Sequence, residues 1–176
     1  MDEYGSMSKN KSMNKGEIVM PLSEKFSIKA ISRALEKGIE KLEKVKHILD
    51  KIKESGRYNI SNIVLSGQKG RIDFNFYWFK LYVRFELIAR EASNTGRPNH
   101  YYFEYKLIWG RYEKDENGME KEFDIINDNF ISNSSRGLLF IWGNYHPELE
   151  DIDDCVVVID RIILECLPDA LVHMDK

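Results

Sequence analysis

The sequence is poor in the residues that build disulfides and metal sites. Its 176 residues include only two cysteines and four histidines. Cys155 and Cys166 fall in one apolar run with helical spacing, where they would lie roughly 16 Å apart, whereas a disulfide requires Cα atoms within about 7 Å. We therefore expect free, buried thiols in a reducing compartment. No Cys/His cluster has zinc spacing, so we expect no metal and no cofactor.

Long apolar runs and a basic surplus are also missing. No stretch of about 18 apolar residues is present, so we expect no transmembrane helix and no membrane partner. Residues 1–20 are polar and lack the apolar core of a signal peptide, which favours the cytoplasm. The formal net charge is −3, whereas proteins that bind phosphate backbones usually carry a basic surplus. General nucleic-acid binding is therefore disfavoured.

Recognisable catalytic motifs are absent as well. The chain has no G-x-S-x-G elbow, Walker loop, H-E-x-x-H motif or EF-hand loop. The glycines of "SGQKGR" lack the spacing and the following helix of a phosphate cradle, and a hairpin turn explains them better. The absence of these motifs favours a non-enzymatic protein over an enzyme.

The composition nevertheless supports a folded domain. Hydrophobic residues make up 43% of the chain and charged residues 31%, which permits a core of ordinary size. Residues 1–20 lack periodicity and predict a disordered tail. Residues 21–176 fit a single domain.

A strongly helical pattern covers residues 23–54. Ser23 is suited to cap this helix, and Gly56 is suited to a left-handed stop. The helix would be about 45 Å long, which exceeds a compact domain of this size. It therefore either breaks near Gly38 or overhangs the sheet. Its heptad stripe fits packing on the chain's own sheet, or a homodimer interface through the 24–54 helix. The residues of that interface are Ile28, Ile31, Leu35, Leu42, Val45, Leu49 and Ile52.

The middle of the chain is rich in strand-forming sequence. The predicted strand regions are 58–65, the long aromatic stretch 71–90, 101–112, 119–126 and 138–143. Loops are predicted at 91–100 and 127–137. Residues 144–168 predict a closing helix, with Pro147 in its first turn and Pro168 at its end. The fold class is α+β: a long N-terminal helix, a bent antiparallel sheet of five to six strands, and a C-terminal helix on one sheet face.

The aromatic stretch "RIDFNFYWFKLYVRFELIAR" is too long for one regular strand. Its apolar residues change parity near Tyr77–Phe79, and a bulge or sharp bend there would turn both halves toward one core. Without a bend, the rings would be exposed beside cations and would suit stacking of a nucleotide or single-stranded nucleic acid. The residues of this ligand-binding alternative are Arg71, Phe74, Phe76, Trp78, Lys80, Tyr82, Arg84, Tyr102 and Lys106.

Charges restrict how the strands around residues 86 and 104 can pair. A register that places Arg84 opposite Glu104, or one that places Glu86 opposite Lys106, brings opposite charges together. The register between these two opposes like charges. We therefore expect one of the two attractive registers.

One short pattern suggests an enzyme. Glu104-Tyr105-Lys106 resembles the E-x-K part of the PD-(D/E)xK nucleases, although the preceding proline-acid pair is missing. Strand alternation places Glu104 and Lys106 on one face, where carboxylates can hold Mg²⁺ and a lysine can position water. Glu86 or Asp73 would supply the second acid. This resemblance implies an Mg²⁺-dependent nuclease.

The preferred functional prediction is a non-enzymatic binding module of the cytoplasm that acts by protein–protein contact. Small immunity, antitoxin and phage-encoded antagonist proteins have this general character. The overlong helix and the surplus of aromatic residues favour this hypothesis, as does the missing catalytic apparatus. The nucleotide or single-strand binder and the nuclease remain as alternatives.

Overall fold

The fold is an antiparallel meander with a helix at each end. The computed structural model describes residues 26–91, 101–135 and 137–169, so the predicted tail, residues 1–20, lies outside the described residues. The elements are helix α1 (Ile28–Glu54), strands β1 (Ile60–Ser66), β2 (Arg71–Phe76), β3 (Phe79–Glu91), β4 (Tyr101–Lys114), β5 (Glu120–Ser134) and β6 (Gly137–Trp142), and helix α2 (Ile152–Cys166). The strands form one six-stranded sheet in sequence order. This confirms the predicted α+β class.

Both helices contribute to one hydrophobic core on one face of the sheet. Apolar residues of α1, such as Leu42 and Leu49, are buried together with Ile159 and Ile162 of α2 and with Trp109 of the sheet. Because side chains alternate along each strand, the residues between these core positions point to the opposite face.

The long aromatic stretch turns back on itself at Tyr77 and Trp78. Phe76 pairs with Phe79, and Phe74 pairs with Leu81 across the β2–β3 hairpin. The change of parity therefore reflects a hairpin reversal and not the bulge or bend within a continuous ribbon that the sequence suggested. The expected consequence holds, because apolar residues from both halves reach the same core.

The β3–β4 pairing follows one of the two registers favoured by charge. Glu86 lies opposite Lys106. In the same ladder, the Arg90 Nε–H donates to Glu104 Oε2 at 2.8 Å. Cross-strand charge pairs of this kind contribute roughly 0.2–1 kcal/mol each, so they act mainly by disfavouring the neighbouring register.

Strand β5 is longer than predicted. The prediction of a loop at 127–137 is wrong over most of that range, because β5 continues to Ser134. Asn129 is fully buried. Its Oδ1 accepts a hydrogen bond from Trp109 Nε1 at 2.7 Å, and its Nδ2 donates to the Ile141 carbonyl at 2.9 Å. A polar segment therefore stays in the sheet because its buried amide is hydrogen-bonded to both neighbouring strands.

Asn129→Ala is expected to lower the free energy of unfolding by about 2 kcal/mol, because the buried Trp109 N–H loses its acceptor. Urea unfolding followed by tryptophan fluorescence measures the change. Asn127→Ala is the matched control, since Asn127 is exposed on the same strand. We expect its effect to stay within about 0.5 kcal/mol. Equal effects of the two substitutions would contradict the structural role of Asn129.

The helix boundaries differ from the prediction at two N-termini. Helix α1 begins at Ile28, with Ser27 Oγ accepting from the Ala30 N–H at 3.1 Å, while the predicted cap Ser23 lies outside the described residues. Helix α2 begins only at Ile152. The Pro147 carbonyl instead accepts from the Phe140 N–H at 2.9 Å, so Pro147 does not start the helix. An extended segment pairs with β6 there and satisfies its outer edge.

The heptad stripe of α1 divides between core and surface. Leu42, Val45, Leu49 and Ile52 are at most 2% exposed within the chain's own core. Ile28 and Leu35 are 85% and 45% exposed, and Ile31 is half-buried. The helix is continuous through Gly38. A homodimer interface along the whole stripe is therefore incompatible with this fold, because the C-terminal half already packs on the sheet.

The two cysteines are free and buried, as predicted. Burial raises the pKa of each thiol to about 12, which keeps both thiols protonated and unreactive at neutral pH. Neither described helix is long and apolar enough to cross a membrane.

Candidate functional site

The outer face of the sheet carries a cluster of tyrosines, arginines and carboxylates, here called the tyrosine–arginine cluster. Its members come from β2 to β5 and occupy the positions between the core residues of each strand. They are Arg71, Asp73, Tyr82, Arg84, Tyr112, Glu122 and Asp124.

Two tyrosines cross each other at the centre of this cluster. The Tyr82 hydroxyl on β3 donates to Asp124 Oδ1 on β5 at 2.6 Å, and the Tyr112 hydroxyl on β4 donates to Asp73 Oδ1 on β2 at 2.6 Å. Their ring centroids are 5.2 Å apart. Each side chain spans an intervening strand, so together they connect four strands. Tyr82 is fully buried as a result.

The cations of the cluster are already paired. Arg71 donates to Glu122 at 2.7 Å and to the Tyr112 hydroxyl at 2.5 Å, and its guanidinium lies 4.7 Å from the centroid of the Tyr82 ring. Arg84 donates to Asp124 at 2.9 Å. A nucleotide phosphate would have to displace these carboxylates, so the arrangement is suited to holding the sheet together.

Burial and hydrogen bonding determine the protonation of the cluster. Burial, with the hydrogen bond to Asp124, raises the pKa of Tyr82 above its ordinary value. Burial and the hydrogen bond to Asp73 do the same for the pKa of Tyr112. For Asp124, burial alone would raise the pKa, but hydrogen bonds from Tyr82 and Arg84 outweigh it and lower the pKa. Both phenols are therefore neutral donors, and Asp124 is a charged acceptor at neutral pH.

Because the pKa of Asp124 is lowered in the folded protein, its contribution to the free energy of unfolding should decrease at acidic pH. A carboxyl whose pKa is lower in the folded state stabilises the fold above its unfolded pKa of about 3.9, and this contribution is lost as the pH falls through the folded pKa. Asp124→Asn should therefore be less stable than the wild type at pH 7, and the difference should shrink below pH ~4. Urea unfolding across this pH range measures both curves.

The control for this prediction is Asp128→Asn, which removes an exposed carboxylate from the same strand. Its curve should run parallel to the wild-type curve. A difference between the wild type and Asp124→Asn that stays constant down to pH ~2 would contradict the proposed role of the Asp124 charge.

The nine residues of the ligand-binding alternative do not form one surface. Phe74 and Phe76 point into the core or against it, because the hairpin reversal keeps them on the same face as Leu81. Trp78 lies at the hairpin tip. Arg71, Lys80, Tyr82 and Arg84 belong to or border the cluster, and Lys80 is paired with Glu120 at 2.9 Å. Tyr102 and Lys106 lie nearer the N-terminal end of β4 than Tyr112, the cluster residue on that strand.

The acids of the nuclease alternative are engaged with arginines. Glu104 accepts from Arg90 at 2.8 Å, and Glu86 accepts from Arg84 at 2.5 Å. Lys106 faces Glu86 across the β3–β4 ladder. In the described part of the chain, no three His, Cys, Asp or Glu residues come close enough to hold a metal ion. The structure therefore does not assemble the ligand set that the E-x-K pattern suggested.

Exposed apolar residues also occur at the β2–β3 hairpin tip and on helix α2, and Phe76 lies beside both groups. Trp78 is 77% exposed and Tyr77 47%. Leu164 and Val157 of α2 are 65% and 49% exposed, and their separation of seven residues places them on one helix face. We call Tyr77, Trp78, Val157 and Leu164 the hairpin–helix patch.

Shared neighbours connect the two parts of the hairpin–helix patch. The ring of Phe76 contacts that of Tyr77, with centroids 5.0 Å apart. Phe76 also lines a small cavity of about 50 Å³ together with Leu164 and Asp160. The Tyr77 and Trp78 rings lie 6.0 Å apart. The exposed aromatic residues therefore continue a ring cluster that reaches the side of α2.

The hairpin turn is strained at Tyr77. Its φ of 54° lies in the left-handed region, which costs a residue with a Cβ roughly 1–2 kcal/mol. Two-residue hairpin turns normally place glycine or asparagine at such a position. The fold thus tolerates an unfavourable residue at the point where it exposes the rings of Tyr77 and Trp78. Strain of this kind is concentrated at functional sites.

The sequence did contain a signal for this turn. Two apolar runs of opposite parity flank Tyr77 and Trp78, as expected when two residues reverse a strand. The dipeptide was missed because Tyr-Trp lacks the glycine or asparagine that normally marks a hairpin turn.

The chain matches no protein-family model, no curated protein and no solved structure.

Proposed function

We propose that the protein is a non-enzymatic binding module of the cytoplasm that acts by protein–protein contact through the hairpin–helix patch. The observation that carries this proposal is the exposure of Trp78 in a turn where Tyr77 is strained. Tryptophan and tyrosine are the residues that most often dominate the energy of protein interfaces. Val157 and Leu164 extend the exposed apolar surface beyond the turn, as expected for an interaction site.

The outer sheet face supports the proposal indirectly. Within the tyrosine–arginine cluster, both tyrosines are hydrogen-bonded to carboxylates and both arginines are paired with carboxylates, which favours a structural role for the cluster over nucleotide binding. A homodimer through α1 would be limited to Ile28, Ile31 and Leu35, because the remaining heptad residues lie in the core. The hairpin–helix patch is therefore the better candidate for a partner surface.

Tyr77→Gly separates the requirements of folding from those of binding. Glycine tolerates the positive φ, so we expect the free energy of unfolding to rise by about 0.5–1.5 kcal/mol even though ring contacts are lost. Urea unfolding measures this change. Tyr102→Ala, at a tyrosine with similar exposure on β4, is the control and should give no gain. A clear loss of stability in Tyr77→Gly would mean that the tyrosine serves the fold.

The direct test places a photo-crosslinking benzoylphenylalanine at position 78 or, as a control, at position 102 in cells that produce the protein. We expect a discrete protein adduct from position 78 and none from position 102. Mass spectrometry then identifies the partner. The purified partner should bind the wild type and lose at least tenfold in affinity for Trp78→Ser, as expected for an interface hot spot. Equal adducts from both positions, or none from position 78, would refute the proposal.

A further inference from the structure

Helix α2 and the segment that precedes it are strongly acidic. Residues 144–169 contain eight carboxylates and a single arginine, Arg161. The carboxylates are Glu148, Glu150, Asp151, Asp153, Asp154, Asp160, Glu165 and Asp169. Because the whole chain has a formal net charge of only −3, the remainder carries a positive excess. The chain segment that supplies Val157 and Leu164 is therefore acidic, in contrast to the rest of the sequence.

The acids and the apolar residues share the exposed side of α2. Asp153, Val157, Arg161 and Leu164 follow one another at spacings of three or four residues, and all four are exposed. Side chains at these spacings are neighbours on a helix surface. The exposed face of α2 that carries Val157 and Leu164 thus has Asp153 at its N-terminal end and Glu165 beside Leu164.

A groove of about 880 Å³ extends this surface toward α1. Its apolar lining residues are Ile52, Ile152, Val156 and Val157. Glu150, Asp151 and Asp153 line the groove from the start of α2, and Lys51 and Arg57 line it from the end of α1 and beyond. Lys51 is paired with Glu54 at 3.2 Å, and Arg57 lies 3.6 Å from Asp160. Both cations therefore already have carboxylate partners.

Asp160, which lies beside the hairpin–helix patch, supplies a further observation. Its Oδ2 accepts from the Tyr58 hydroxyl at 3.0 Å, whereas its Oδ1 is buried and has no hydrogen-bond partner among the described residues. Asp160 lines the small cavity beside Leu164. A buried acceptor without a donor is unfavourable. A lysine or arginine side chain that enters beside Leu164 would satisfy this oxygen.

We infer that the hairpin–helix patch recognises a basic, apolar segment of a protein partner, in which lysines or arginines flank an apolar anchor. This inference rests on the proposed function and adds the chemistry of the partner. The carboxylates of α2 would pair with the cations, while Trp78, Val157 and Leu164 contact the anchor. The same carboxylates repel phosphate and anionic headgroups, so the charge disfavours a nucleic acid or an anionic membrane.

The test selects binders from a displayed library of random peptides on the immobilised full-length chain. The supporting result is a set of sequences enriched in lysine or arginine around aromatic or aliphatic residues. A synthetic peptide of the consensus sequence is then titrated by calorimetry. We expect Trp78→Ser to weaken its binding about 30-fold. The Asp153→Asn/Asp154→Asn double variant should weaken it several-fold, and the effect should fade at high salt.

Two variants complete the design. Asp160→Asn keeps an acceptor for Tyr58 but removes the charge, and we expect about tenfold weaker binding of the basic peptide. The matched control is Glu116→Gln/Asp128→Asn, which removes two exposed carboxylates outside the patch. Its affinity should stay within about twofold of the wild type, because rim charges far from a contact contribute little.

The outcomes distinguish this inference from the proposed function. Binders that depend on Trp78 but are neutral or acidic would overturn the basic partner and leave the proposed function standing. A library that yields no binder dependent on Trp78 would overturn both. Adsorption to phosphatidylserine vesicles that is lost in Trp78→Ser would replace the protein partner with a membrane. Equal losses in the Asp153/Asp154 and control variants would exclude the charge pairing.

Discussion

Gly110→Ala is expected to lower the free energy of unfolding by about 3 kcal/mol or more, although it adds only one methyl group. Gly110 lies between Tyr82 on one neighbouring strand and Asp124 on the other. A Cβ at this position would lie 2.1 Å from the Phe123 carbonyl oxygen and 2.5 Å from the Tyr82 hydroxyl. The carbonyl belongs to a paired strand and cannot rotate away, so β4 and β5 would have to separate locally.

The Gly110 prediction also specifies where the cost arises. In a Gly110→Ala/Tyr82→Phe double variant, the clash with the hydroxyl is removed but the clash with the Phe123 carbonyl remains. This variant should therefore still have a much lower free energy of unfolding than Tyr82→Phe alone. Gly118→Ala is the control: Gly118 has a φ of +76° and no atom within 4 Å of an added Cβ. We expect that variant to lose only about 1 kcal/mol, from backbone strain. A similar cost for the two glycines, measured by urea unfolding, would contradict the close approach at Gly110.

Gly110 also shows what the sequence could not reveal about the outer face. Strand alternation placed Glu104 and Lys106 on one face, and charge pairing narrowed the β3–β4 register to two choices. The crossing of Tyr82 and Tyr112 depends on contacts between strands that are not adjacent. Each tyrosine reaches its acceptor across an intervening strand, and no local pattern encodes that distance.

The remaining errors occurred where tertiary contacts override local preferences. Asn129 resembles a loop residue until the strands on either side supply its hydrogen-bond partners. Pro147 resembles the first turn of a helix, yet its carbonyl pairs with the backbone of β6. The long helix, the hairpin at 67–70 and the tight turn after Lys114 were predictable because glycine placement and periodicity are local features.

For the hairpin–helix patch, the sequence predicted the type of residue, aromatic side chains, but not their location. The surplus of aromatic residues suggested an exposed binding surface, and Trp78 was among the named residues. The location of the proposed hairpin–helix patch was not predictable, because Tyr-Trp is an atypical hairpin turn and because Val157 and Leu164 come from a distant part of the chain. The same limitation explains why Phe74, which belongs to the core, was grouped with Trp78.

Gly38→Ala tests the contact that lets the uninterrupted α1 lie close to the sheet. A Cβ at Gly38 would lie 2.4 Å from Cε2 of the Phe85 ring. The ring cannot retreat freely, because a Cβ at Gly70, on the turn before β2, would lie 2.9 Å from Cε1 of the same ring. We expect Gly38→Ala to destabilise the fold by about 2–3 kcal/mol, since the overpacking outweighs the roughly 1 kcal/mol that alanine adds to helix propensity.

A double-mutant cycle with Phe85→Leu assigns that cost to the ring. Leucine removes the ring atoms closest to Gly38, so the double variant should be more stable than the sum of the two single effects by at least about 1 kcal/mol. Gly67→Ala provides a control, because the nearest atom to its added Cβ is 3.9 Å away and its effect should be small. If the two substitutions are additive, Phe85 does not limit the approach of α1. Close packing of Gly38 against Phe85 would then not explain why a glycine occupies this position in a continuous helix.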